Sequence, residues 1–254
     1  MQLDDGSWWG VFLGTRPYGE QNTLMGRETF LLPVTWEDGW PYFLRQGQGV
    51  PLVADAPALP AFQGDDFAEW HDDFDEAQLG PEWLRARGSP DVQNVMLGDG
   101  KLYLIPNTDT LSEIAMPAFV GQRMREHDST FTTSVDFAPQ ATGDFAGLAA
   151  VASEQAFVSV GVLGTASGPV LAVMDRNGRS SPANGAVVAS TPWSGGKVEL
   201  RIAFENGSAD FSYRPAGARS WTTLASDVDV NHLASVNSNL FTGVVAGPYA
   251  VSGS

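Results

Sequence analysis

Arg27 and Glu28 stand at the head of an otherwise apolar stretch, Thr29-Phe30-Leu31-Leu32-Pro33-Val34-Thr35-Trp36, and are the neighbours in this sequence best suited to chemistry. Side chains of a pleated strand alternate between its two faces, so only one of the pair can enter a given pocket. An arginine offers five fixed donors and keeps its charge, which suits it to holding sugar hydroxyls or orienting a carboxylate. A strand-end arginine, taken without further context, is more often a surface or structural residue. Asp4, Asp5, Glu20, Glu37 and Asp38 fall mostly in loops and turns. His71, His127 and His232 are too far apart for any two to have zinc-ligand spacing. Asp72, Asp73 and Asp75 supply either hard oxygens for calcium or a solvated acidic entry to a strand. Trp8, Trp9, Trp36 and Trp40 offer faces that stack on sugars or pack against a blade. No glycine-rich motif sits between a strand and a helix, so nothing supports a nucleotide cofactor.

The elements that must position these residues are short strands. Residues 7–14 and 27–36 read as two, Glu37-Asp38-Gly39 as a tight turn, and Trp40 to Leu44 as a returning third. Together they amount to one propeller blade of about 40 residues, a unit that needs neighbours to bury its faces. Gln46 to Gly64, with Pro51, Pro57 and Pro60, reads as a semi-rigid linker. Beyond it, strands are expected at 101–105, 129–137, 145–153, 157–163, 170–175, 197–204, 209–214, 221–224 and 241–249, a spacing that suggests a β-sandwich. Asp175-Arg176-Asn177-Gly178 and Glu205-Asn206-Gly207-Ser208 read as hairpin turns, and 81–85 as a single helical turn.

Composition narrows the function classes. With 43% hydrophobic and 17% charged residues, 28 Gly and 16 Pro, the 254-residue chain describes a soluble all-β protein with a sizeable core. No apolar run approaches a membrane span. The net charge of -16 disfavours nucleic-acid backbones and anionic membranes as partners, and suits a neutral ligand. The absence of cysteine rules out disulfides and thiolate metal sites, and leaves both cytosolic and extracellular locations open.

Ser7-Trp8-Trp9-Gly10 through Pro17, Gly26-Arg27-Glu28-Thr29 and Trp36-Glu37-Asp38-Gly39-Trp40-Pro41 resemble, in order and spacing, the end of the catalytic domain in family 43 glycoside hydrolases of the β-xylosidase type. From Asp72 to Gly243 the chain looks like the β-sandwich those enzymes carry next. The resemblance implies an all-β chain: residues 1–45 as the last part of a five-bladed β-propeller, 46–64 as linker, and 65–254 as a concanavalin A-like (jelly-roll) sandwich that relatives extend by one more strand. It implies that Arg27 lines the subsite of the terminal sugar while Glu28 faces away. Phe241, in Leu240-Phe241-Thr242-Gly243, matches an aromatic loop sent towards that pocket, or else is a core residue opening a strand. It implies inverting hydrolysis of β-xylosides or α-arabinofuranosides in hemicellulose oligosaccharides, with acid and base about 6.5–9.5 Å apart. Neither maps onto this chain; both are expected upstream, leaving the isolated chain inactive. No metal site is assigned within the chain, and calcium belongs, if anywhere, to the full-length enzyme. A non-catalytic, lectin-like carbohydrate-binding sandwich is the alternative. Oligomeric state stays open.

Overall fold

Short aromatic and β-branched runs punctuated by Asp-Gly and Asn-Gly turns leave little room for helix, and the computed structural model is nearly all-β, as the sequence suggests. It describes residues 1–55, 57–60, 69–87, 94–238 and 240–253. Part of the expected linker, at 56 and 61–64, lies outside the described residues. Two units are present: Met1–Thr15 with Arg27–His71, and Arg16–Gly26 with Asp72–Ser254.

In the first unit β1 (Trp8–Gly14), β2 (Glu28–Glu37) and β3 (Trp40–Tyr42) form an antiparallel sheet in that order. Asp38 and Gly39 both have positive φ, 49° and 82°, the primed turn whose twist matches the flanking strands. Along β2 the residues Glu28, Phe30, Leu32 and Val34 share the better-covered face. There Phe30 stacks on Phe12 with centroids 5.7 Å apart, and Phe43 closes on Phe12 at 4.9 Å. Val11 and Leu13 stay exposed on the other face.

The second unit contains β4 (Leu84–Arg85), β5 (Val95–Gly98), β6 (Lys101–Leu104), β7 (Ala118–Arg123), β8 (Ser129–Val135), β9 (Phe145–Ser153), β10 (Ala156–Leu163), β11 (Val170–Asn177) and β12 (Ala186–Pro192). These are followed by β13 (Val198–Glu205), β14 (Ser208–Pro215), β15 (Thr222–Asp229), a 3-10 turn at Asn231–Leu233, the short α1 (Ser235–Ser238) and β16 (Val245–Val251). Seven strands pair as β12-β11-β10-β9-β16-β7-β4, and four as β15-β14-β13-β8.

The two sheets differ in what covers them. In the smaller one Val198, Leu200, Ile202 and Phe204 point into the core while Glu199, Arg201 and Ala203 point out, the alternation expected of a half-buried strand. Outside, Arg201 and Arg214 lie over the Trp221 ring at 3.9 and 4.6 Å, and Arg214 pairs with Glu199 at 2.8 Å. The inner strands of the larger sheet, β7, β9, β10, β11 and β16, are covered on both sides. Val158, Val160, Val162, Leu171 and Val173 meet the smaller sheet, while Phe157, Ala172, Met174, Phe145 and Tyr249 build a second cluster with Leu111 and Phe119 on the opposite face. These strands therefore read as continuous apolar runs. Gly161 is required where the Phe145 ring crosses the sheet: a Cβ there would stand 2.6 Å from the ring and 2.4 Å from the Ala146 carbonyl.

Three expectations need correction. Residues 81–85 are not a helical turn: Leu84 and Arg85 pair with Gly121 and Val120, and Arg85 Nη1 donates to Asn94 Oδ1 at 3.0 Å. Asp175-Arg176-Asn177-Gly178 is not a hairpin turn either, because β11 continues to Asn177. Arg176 is buried there, its guanidinium donating to the carbonyls of Glu154, Ser181 and Pro182 at 2.6–2.7 Å, so turn-like composition conceals a strand whose arginine closes two loops. The last strand begins at Val245 and not at Phe241.

Asp144 ties the chain's end to this frame. Its Oδ2 accepts from Gln140 and Ala141 N–H and its Oδ1 from Gly253 N–H, each at 2.8 Å. The Gly253 bond, then those of Gln140 and Ala141, hold its carboxyl below the usual carboxylate range. A depressed folded-state pKa contributes stability that is present above the unfolded value of about 4 and lost as pH falls through the folded one. Asp144→Ala should cost about 1–2 kcal/mol at pH 7, allowing for solvent at this partly open site, and less at pH 3. Denaturant unfolding at both pH values checks this; an equal cost at each would show that the charge is not what stabilises the turn.

Candidate functional site

Arg27 immediately precedes β2 and is exposed, in phase with the exposed Thr29 and Leu31; Glu28 shares the half-buried face with Phe30. The two do diverge as strand alternation demands. Phe241 belongs to the second unit, is 67% exposed, and opens no strand.

What holds Phe241 in place escaped the sequence reading. Residues 16–26, which lie between the first two expected strands, are built into the second unit. Leu24 and Met25 are buried among its core residues, and Val244 N–H donates to Leu24 O at 2.7 Å. Arg16 pairs with Glu126 at 2.8 Å and donates to Arg125 O at 3.0 Å. The His127 ring meets the Arg16 carbonyl through Nε2 and the Tyr18 ring edge-on at 4.7 Å. Burial, with the Asp229 charge adding to it, pushes the Tyr18 phenol up to about 12, and its hydroxyl donates to Asn231 Oδ1 at 3.2 Å. Gly26 forms an isolated antiparallel bridge with Thr242 at φ +68°. A Cβ on Gly26 would lie 2.5 Å from the Thr242 carbonyl carbon, and one on Gly243 would lie 2.3 Å from Met25 O. Two backbones thus approach as only glycine permits, one residue from Phe241. The apolar run Leu24-Met25 was the signal available in the sequence for this docking.

Asp72, Trp8 and Trp36 have structural partners. Asp72 Oδ1 accepts from Phe74 N–H and its Oδ2 from Trp83 Nε1–H, each at 2.7 Å. Among the described residues no group of three or more histidine and acidic side chains is placed to hold a metal ion. Trp8 packs edge-on against Trp36 at 5.2 Å, and Trp40 is exposed.

Residues 71–254 match the family of the beta xylosidase C-terminal concanavalin A-like domain. The chain belongs to that family. The family's sandwich accounts for the second unit, and similarity to known proteins extends beyond it. A curated protein of Bacteroides ovatus, the non-reducing end alpha-L-arabinofuranosidase BoGH43B, is 29% identical over 263 residues, covering 98% of this chain and 46% of that protein. The crystal structure of the GH43 protein BlXynB from Bacillus licheniformis superposes with a TM-score of 0.87 at 29% identity, over 100% of this chain and 49% of that one. The xylan beta-1,4-xylosidase of Bacillus halodurans shares the fold, with a TM-score of 0.85 at 24% identity over 99% of this chain and 49% of its own. The chain spans about half the length of each of these proteins.

Gly26→Ala should destabilise the chain by about 2–4 kcal/mol, since it adds strain at positive φ to a backbone clash. Phe241→Ala should change stability by less than about 1 kcal/mol, as expected for an exposed side chain. Thermal melting of both variants checks the pair. A Gly26→Ala variant as stable as the parent would mean that the 16–26 segment does not depend on the bridge.

Proposed function

We propose that this chain is the carboxy-terminal portion of a family 43 glycoside hydrolase that, as a whole protein, removes β-xylosyl or α-arabinofuranosyl units from hemicellulose oligosaccharides by inversion. The observation that carries this reading is similarity to a named arabinofuranosidase over 98% of the chain, both units included. Family membership of residues 71–254 supports it further.

On this reading Arg27 donates hydrogen bonds to hydroxyls of the terminal sugar. A planar guanidinium suits a vicinal pair of oxygens, and these bonds gain strength where water is excluded. Phe241 contributes an aromatic surface to sugar C–H groups, which fits a large side chain left 67% exposed on a loop anchored by backbone. Glu28 serves the strand's covered face. The acid and base of an inverting pair come from the part of the longer protein that the chain does not span, and oriented binding without them gives no turnover. The purified chain alone should therefore release no product from aryl xylosides or arabinofuranosides.

In the longer protein Arg27→Ala should lower kcat/KM by about 30–1000-fold, equivalent to about 2–4 kcal/mol of transition-state binding. Arg27→Lys should recover little of it, because an ammonium cannot reproduce a two-pronged donor. Glu28→Gln should move the melting temperature more than turnover. Steady-state kinetics and melting of all three variants separate a lost contact from a damaged fold. Near-normal kcat/KM in Arg27→Ala with a loss in Glu28→Gln would reverse the two roles; hydrolysis by the isolated chain would refute the assignment of acid and base.

A further inference from the structure

A cleft of about 680 Å³ opens at one end of the larger sheet, between the β9–β10 turn, the start of the β11–β12 connection and the short helical segment after β15. It lies wholly within the second unit and shares no residue with Arg27 or Phe241. Its size falls within the roughly 300–1,000 Å³ of small-molecule sites.

The lining is rich in side chains that have polar atoms to spare. Among the described residues, Gln155, Asn177 and Arg179 line the cleft without side-chain hydrogen-bond partners. Asn237 Nδ2 donates to Asn231 O at 2.7 Å and to Asn22 Oδ1 at 3.2 Å, which leaves its own Oδ1 uncommitted. His232 is nine-tenths buried; its Nε2 lies 2.9 Å from Asp175 Oδ1, within ion-pair reach but off the line of a good hydrogen bond. That contact fixes the ring at the wall of the cleft. Leu240 adds an apolar patch.

The chemistry of this lining selects its ligand. Carboxamides offer donors and acceptors together, which matches hydroxyls that both give and take a hydrogen bond. Phosphate recognition needs a cluster of cations, whereas here Arg179 is accompanied by Glu154, already paired with Arg87, in a chain of net charge -16. A lipid or aromatic ligand needs apolar walls, and Leu240 and Ala156 are the apolar side chains lining the cleft. We propose that this cleft binds a short neutral oligosaccharide, separately from the sugar subsite assigned to Arg27 and Phe241. The ligand class agrees with the proposed function, but the site rests on its own residues and can stand or fall alone.

Titration calorimetry of the purified chain with xylotetraose tests this. Saturable binding is expected, weakened about tenfold or more in Asn177→Ala and in Arg179→Ala. Both side chains are exposed and have no partner among the described residues, so melting temperatures should not move. Absence of saturable binding at millimolar xylotetraose would overturn the proposal. So would affinity indifferent to Asn177 and Arg179, affinity lost in Phe241→Ala alone, or competition by inorganic phosphate. Hydrolysis by the longer protein is a separate readout, so failure of the catalytic reading does not register here.

Discussion

Burial of the inner strands of the seven-stranded sheet on both faces is the constraint from which the rest of the second unit follows. A strand with no wet side must satisfy every backbone N–H and C=O through the ladder. β9, at the centre, pairs along nearly its whole length with β10 on one side and β16 on the other. β16 comes from the end of the chain and β9 from its middle, so the core closes only when a distant segment returns. Such non-local pairing loses loop entropy before contacts compensate, and the dry faces supply that compensation. At about 25 cal/mol per Å² of apolar surface, side chains such as Phe145, Phe157 and Tyr249, each almost fully buried, contribute several kcal/mol together.

The same constraint moves charge to the rim and to the outer face of the smaller sheet. There Glu199, Arg201, Arg214 and Trp221 form a stacked, paired group in which the indole shields both guanidinium groups from full hydration. Arg176 is the exception, a buried cation that satisfies its donors with three loop carbonyls. Its removal would leave those carbonyls unsatisfied together, which is why a strand ends where the composition suggested a turn.

Legibility followed the local signal. Strands with clear alternation, such as β8 and β13, and apolar runs such as β9 were readable to within a few residues, as were the Asp38-Gly39 and Asn206-Gly207 turns with φ positive at both positions. β12 was missed because it is an edge strand with Val187 and Val188 exposed, and β7 because it is a short run between a proline and two charged residues. Neither shows a full period to a local reading. The phase of Arg27 against Glu28 was legible. The docking of residues 16–26 was not, since its determinants, Gly26 against Thr242 and Leu24 against Val244, are contacts between segments more than two hundred residues apart.

That docking also bears on why loop chemistry can be placed accurately on this frame. Val244 receives Leu24 through backbone and is itself fully buried, and the adjoining Val245 opens the central β16. The exposed Phe241 therefore stands a few residues from the most constrained part of the sheet, on a backbone held by a glycine-only approach. On the other side, Ser235 N–H donates to Thr23 O, so the segment carrying His232 and Asn237 leans on the same 16–26 strap. A single short stretch thus supports both the loop that presents an aromatic ring and one wall of the polar cleft. A perturbation of the strap should reach both, whereas substitutions at the exposed tips should remain local.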